Sequence, residues 1–112
     1  MNIENARPLT VDNATVEFIE GTVDGVTTYK FDTTKEGHPM VNAMAGLAIL
    51  GDDEQLLMVN HCAPMGLYPK IENEFNHSHQ EMPDGTTHIL FTKKEGTQST
   101  TDFSATSCGG GC

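Results

Sequence analysis

TTYKFDTTKEGHPMVNAMAGLAILGDDEQLLMVNHCAP, residues 27–64, is the stretch that decides the fold. Thr27 to Asp32 carries Tyr29 and Phe31 on alternate positions, the period of a strand with one buried face. Pro39 has a fixed φ and no N–H to lose, which suits the first turn of a helix. Met40, Val41, Met44, Leu47 and Ala48 then fall on one helical face, and Gly51 marks the end. Asp52-Asp53-Glu54 makes a solvated turn without the ligand spacing of a calcium loop. Leu56-Leu57-Met58-Val59 is a continuous apolar run of the kind a buried strand shows. A strand–helix–strand crossover makes its two strands parallel, with both carboxyl ends on one sheet edge. The polar segments Gly37-His38-Pro39-Met40 and Asn60-His61-Cys62 are therefore expected to share that edge, where open α/β sheets bind ligands.

Upstream, residues 1–12 read as poorly ordered, and Thr15 to Glu20 as a strand joined through Asp24-Gly25 to the next, an N-terminal hairpin. Downstream, Leu67, Ile71 and Phe75 recur at steps of four beside Tyr68 and predict a second helix with Pro69 in its first turn. Lys70, Glu72, Asn73 and Glu74 make its solvated face. Ser78 to Glu81 is a weak strand, Pro83-Asp84-Gly85 a turn and His88 to Thr92 the last strand. The expected fold is α/β: a two-layer sandwich with a mixed sheet of four or five strands and two helices on one face. Residues 1–94 form one domain with its core in 27–94. Residues 95–112, rich in Ser, Thr and Gly, form a flexible tail ending in Cys108-Gly109-Gly110-Gly111-Cys112.

Sixteen acidic residues against six basic ones give a net charge of −10, which argues against nucleic acid or an anionic membrane and for a protein partner with a basic surface. No apolar stretch approaches the ~18 residues of a membrane span. Met1-Asn2-Ile3-Glu4 lacks a basic region followed by an apolar one, so a cytoplasmic protein is expected. Three cysteines, two of them in the last five residues, favour free thiols over a disulfide framework. No phosphate-binding loop, nucleophile triad or paired-carboxylate site stands out.

The order of elements, with His38-Pro39-Met40-Val41 at the first helix start, resembles the TusA/SirA-like sulfur-carrier fold. There a Cys-Pro-x-Pro motif opens the helix and its cysteine carries a persulfide; here histidine and valine replace the cysteine and the second proline. Residues 27–94 are more closely similar to the Domain of Unknown Function 2249 family. Its His-Pro matches His38-Pro39, and its Val-Asn-Asp-His-Asp-Pro stretch matches Val59-Asn60-His61-Cys62-Ala63-Pro64, placing Cys62 at the family's histidine. The resemblance implies a fold more than an activity.

Imidazoles and a thiolate gathered at one edge suit zinc, copper or iron. The candidate ligands are His38 with His61 or Cys62, His88 as a further neighbour, and Cys108 and Cys112 as a mobile second set. His61 and Cys62 can both face His38 only if the strand has ended before them. His77 and His79 are traced to the opposite end, as surface decoration. Three functions are compatible with these residues. The first is a small metal-binding or metal-handling protein. The second is a sulfur or redox carrier using Cys62 or the tail cysteines. The third is an interaction module without chemistry.

Overall fold

The computed structural model describes residues 3–35 and 38–94; Gly37 and the tail with Cys108 and Cys112 lie outside them. One mixed sheet has the order β1-β2-β3-β4-β6-β5, formed by β1 (Glu4–Leu9), β2 (Phe18–Val23), β3 (Val26–Asp32), β4 (Glu54–Asn60), β5 (Phe75–Glu81) and β6 (Thr87–Lys93). The helices are α1 (Pro39–Ile49) and the single turn α2 (Tyr68–Ile71). Among the described residues only β3 and β4 pair in parallel, as the α1 crossover between them requires. Among the described residues no helix is long and apolar enough to cross a membrane.

Asp24 and Gly25 both take positive φ, 51° and 81°, which closes β2 onto β3 in a two-residue hairpin. The sheet has six strands rather than four or five, because residues 4–9 add an antiparallel edge strand to β2. Its signal was hidden: β1 is exposed nearly throughout, carries Pro8, and slips register between Glu4 and Arg7, so it shows no alternation. Gly21 makes room for it, since a Cβ there would collide with the Ile3 side chain and with the Glu4 carbonyl oxygen.

Both helices cover one face. Met44 and Leu47 of α1 and Ile71 of α2 join Phe31, Leu56, Met58, Ile89 and Phe91 in one core. Each such side chain contributes roughly 1.5–3 kcal/mol by leaving water. α1 is buried more widely than its apolar stripe indicates: Asn42, Ala43 and Gly46 are inside, whereas Ala48 is exposed. At Gly46 an added Cβ would sit 2.9 Å from Leu56 Cδ2 and 3.0 Å from Phe18, so glycine sets how closely the helix approaches the sheet.

The second helix is much shorter than its four-residue spacing predicts, and Phe75 opens β5 instead. Glu74, expected in solvent, is 1% exposed, with Lys93 Nζ 3.9 Å away and its backbone carbonyl accepting from the Lys94 N–H. Leu67, Ile71 and Phe75 are all buried as expected. The chain reaches that burial through a turn and a strand, which apolar spacing alone does not distinguish from a continuous helix.

Candidate functional site

The carboxyl ends of β3 and β4 are side by side, with Asp32 opposite Val59. From there Thr33 continues the pairing, its N–H donating to the Val59 carbonyl at 2.9 Å. The buried Thr33 hydroxyl lies 3.0 Å from Asn60 Oδ1 and 3.2 Å from the Val59 carbonyl oxygen. Asn60 Nδ2 donates to the Cys62 carbonyl oxygen at 3.1 Å. Asp32 Oδ1 accepts from the Thr34 N–H at 2.8 Å and from its hydroxyl. Partial burial pushes the Asp32 pKa up, but the Thr34 hydrogen bonds, with Lys30 and Lys35 nearby, outweigh it and hold the carboxyl below its ordinary value.

β4 ends at Asn60, so His61 and Cys62 lie beyond the strand and are released from its alternation. His61 is exposed and its Nε2 is 2.5 Å from the Thr34 carbonyl oxygen. A carbonyl can only accept, so Nε2 carries the proton and Nδ1 is the acceptor nitrogen in the neutral ring. Thr34 and His61 thus tie the β3–α1 loop to the segment after β4.

His38 is the N-cap of α1, exposed, in the left-handed region at φ 70° and ψ 46°, and its side chain makes no capping bond. Its carbonyl accepts from Asn42 N at 3.2 Å and from Asn42 Nδ2 at 3.0 Å. Asn42 also donates to Thr15 Oγ1 at 2.8 Å and accepts at Oδ1 from the N–H groups of Thr15 and Val16, so this buried amide binds the loop before β2 to the helix start.

His88 lies at the same end of the sheet, opposite Val59, but its strand position puts it on the face away from α1. His77 and His79 are on the edge strand β5, opposite Phe91 and Ile89; His79 is level with Met58, two residues short of the end of β4, rather than at the opposite end of the sheet. His77 is more than decoration: its ring is stacked on Tyr68 with centroids 3.7 Å apart.

Cys62 is half-buried and is one half of a disulfide, where free thiols were expected. A disulfide sulfur is not a thiolate, so metal ligation by Cys62 belongs to its reduced state. Among the described residues no three His, Cys, Asp or Glu side chains stand together as a metal-binding group. His61 and Cys62 follow the end of β4, His38 opens α1 after the end of the parallel strand β3, and Cys108 and Cys112 lie outside the described residues. The residues that shape this edge, Thr33, Thr34, Asn42 and Asn60, were not assigned a role from sequence. Asp32-x-Thr34 is a readable local turn pattern; the long-range bonds of Asn42 and Asn60 leave no local signal.

The chain matches no family model, no curated protein and no solved structure.

Proposed function

We propose that this protein is a small thiol–disulfide carrier working through Cys62. The observation that carries the reading is the oxidised state of Cys62, at the sheet edge where β3 and β4 end. We place the protein in the cytoplasm, where a protein disulfide is characteristically transient and reactive rather than structural. The resemblance to TusA/SirA-like carriers, whose working group is a cysteine sulfur, supports a working sulfur in this fold, here moved from the His38 position to Cys62.

In the step proposed, a thiolate of a partner protein's dithiol attacks one sulfur of the Cys62 disulfide. That S–S bond breaks, a mixed disulfide forms, and the displaced thiolate takes up a proton. Attack by the partner's second thiolate releases the partner as a disulfide and leaves two thiols here. Two electrons and two protons pass from partner to carrier, with no other reactant. The net charge of −10 suits a partner with a basic surface.

Metal handling is the second reading, supported by His61, whose Nε2–H bond to Thr34 orients the ring and leaves Nδ1 as donor to a metal. In the reduced protein the ligands would be His38, His61 and Cys62, with Cys108 and Cys112, for zinc, copper or iron. Reduction of the full-length protein by a dithiol, followed by thiol counting and metal analysis, separates the readings. The carrier gains two thiols per chain and binds no stoichiometric metal. A metal-handling protein binds one equivalent after reduction and loses it in His38→Ala. Sulfane sulfur on Cys62 would assign sulfur transfer instead.

A further inference from the structure

Leu57 and Val59 alternate with the core residues Leu56 and Met58 and so point to the face of the sheet without helices. Leu90 and His88 stand opposite them on β6, and Ser78 and Gln80 of β5 stand opposite Leu90 and His88 in turn. Met82 follows two residues after Gln80 and joins this face just past the end of β5. Leu57, Leu90, His88, Met82, Ser78 and Gln80 line one open cavity of about 260 Å³. His79 borders it too, but strand alternation turns its side chain toward the helices.

The hairpin between β5 and β6 holds two of these side chains in a fixed relation. The Met82 N–H donates to the Thr86 carbonyl oxygen at 2.8 Å, and the Met82 carbonyl accepts from the Gly85 N–H at 3.1 Å, with Gly85 at φ 90°. Met82 and His88 are therefore diagonal neighbours across the strand pair, roughly 7–8 Å apart at Cα, a gap that a thioether and an imidazole can bridge through one ion. In the same turn Asp84 Oδ1 accepts from the Thr86 hydroxyl at 2.6 Å and from its N–H at 2.9 Å. Those bonds first, and the nearby His88 after them, hold the Asp84 carboxyl below its ordinary value. An imidazole that gives one ring N–H to a carboxylate keeps its other nitrogen for a metal.

We propose that Met82 and His88 bind Cu(I) in this cavity. A thioether selects a soft ion, an imidazole suits copper, and Cu(I) is content with few ligands. No carboxylate lines the cavity, whose side-chain oxygens are those of Ser78 and Gln80, so calcium and magnesium lack the oxygen set they need. Leu57, 3% exposed, and Leu90 give the site an apolar floor that keeps water from the ion. The net charge of −10 raises the local concentration of cations around the chain. The site uses no thiol and stands apart from His38, His61 and Cys62. A dithiol outcompetes such a two-ligand site for Cu(I), so metal analysis after dithiol reduction reports on the Cys62 edge alone.

The test is an anaerobic Cu(I) titration of the full-length protein, reduced, alkylated at its cysteines and freed of reductant, in competition with a Cu(I) chelator. Wild type is compared with Met82→Leu, which keeps the side-chain volume, and with His88→Gln. Met65→Leu, at an exposed methionine outside the cavity, is the control. The expected result is one equivalent of Cu(I), with the NMR signals of the Met82 methyl and the His88 ring moving together. Each cavity variant weakens binding at least about tenfold, and Met65→Leu leaves it unchanged. Binding with those two signals unmoved, an affinity kept in both cavity variants, or no stoichiometric Cu(I) overturns the proposal. The carrier reading rests on Cys62 and stands or falls separately.

Discussion

The side-chain amide of Asn60 donates to the carbonyl oxygen of Cys62 across 3.1 Å, while its own carbonyl oxygen lies 3.0 Å from the Thr33 hydroxyl. One buried amide therefore joins the end of β3 to the backbone of Cys62 after its strand has ended.

Asn60→Ala is expected to remove both bonds and leave the Thr33 hydroxyl with only the Val59 carbonyl oxygen. Loss of buried hydrogen bonds costs roughly 1–3 kcal/mol, read as a lower denaturant midpoint at constant m-value. The same variant should change the rate at which Cys62 exchanges with a small thiol. A variant that lost stability with no change in exchange rate would confine Asn60 to a structural role.

Asn42 makes a comparable tie at the other side of the site. Its amide satisfies the N–H groups of Thr15 and Val16, the Thr15 hydroxyl and the His38 carbonyl. Asn42→Leu keeps the volume and removes all of these, with an expected loss of about 2–3 kcal/mol and faster amide hydrogen exchange at residues 15 and 16. Unchanged exchange there would show that the loop before β2 is held by packing alone.

The sequence-level reading succeeded where local pattern and tertiary environment agree. Phe18, Tyr29 and Phe31 alternate because one face of β2 and β3 is covered, and Pro39 opens α1 because its missing N–H costs nothing there. It failed where the environment is long-range. β1 exists because Gly21 lets its backbone approach, and Glu74 is buried near Lys93, a strand distant in sequence. At the candidate site, β3 and β4 run parallel as expected, with His61 and Cys62 following the end of β4 and His38 opening α1 after the end of β3. The oxidation state of Cys62 could not be read, since it depends on a partner sulfur that spacing does not identify.

Tyr29 supplies a pH signature. Burial first, then the hydrogen bond it donates to Glu54 at 2.8 Å and the charges of Glu54 and Glu20, push its phenol up to about 12 from 10.0. Above the ordinary tyrosine value the unfolded chain loses this proton while the native chain keeps it, so stability falls with rising pH. The contribution of Tyr29 is complete below pH 10 and is lost between 10 and about 12. Unfolding midpoints across that range should fall more steeply for wild type than for Tyr29→Phe; parallel profiles would remove the effect from Tyr29.

The most direct test of the carrier account is the redox equilibrium of the full-length protein in glutathione buffers, with thiols counted by alkylation and mass, beside Cys62→Ser. The account predicts a two-electron transition in wild type, between about −180 and −300 mV, that is abolished or displaced in Cys62→Ser. Three alkylated thiols at every buffer ratio, or the same midpoint in both proteins, would contradict it.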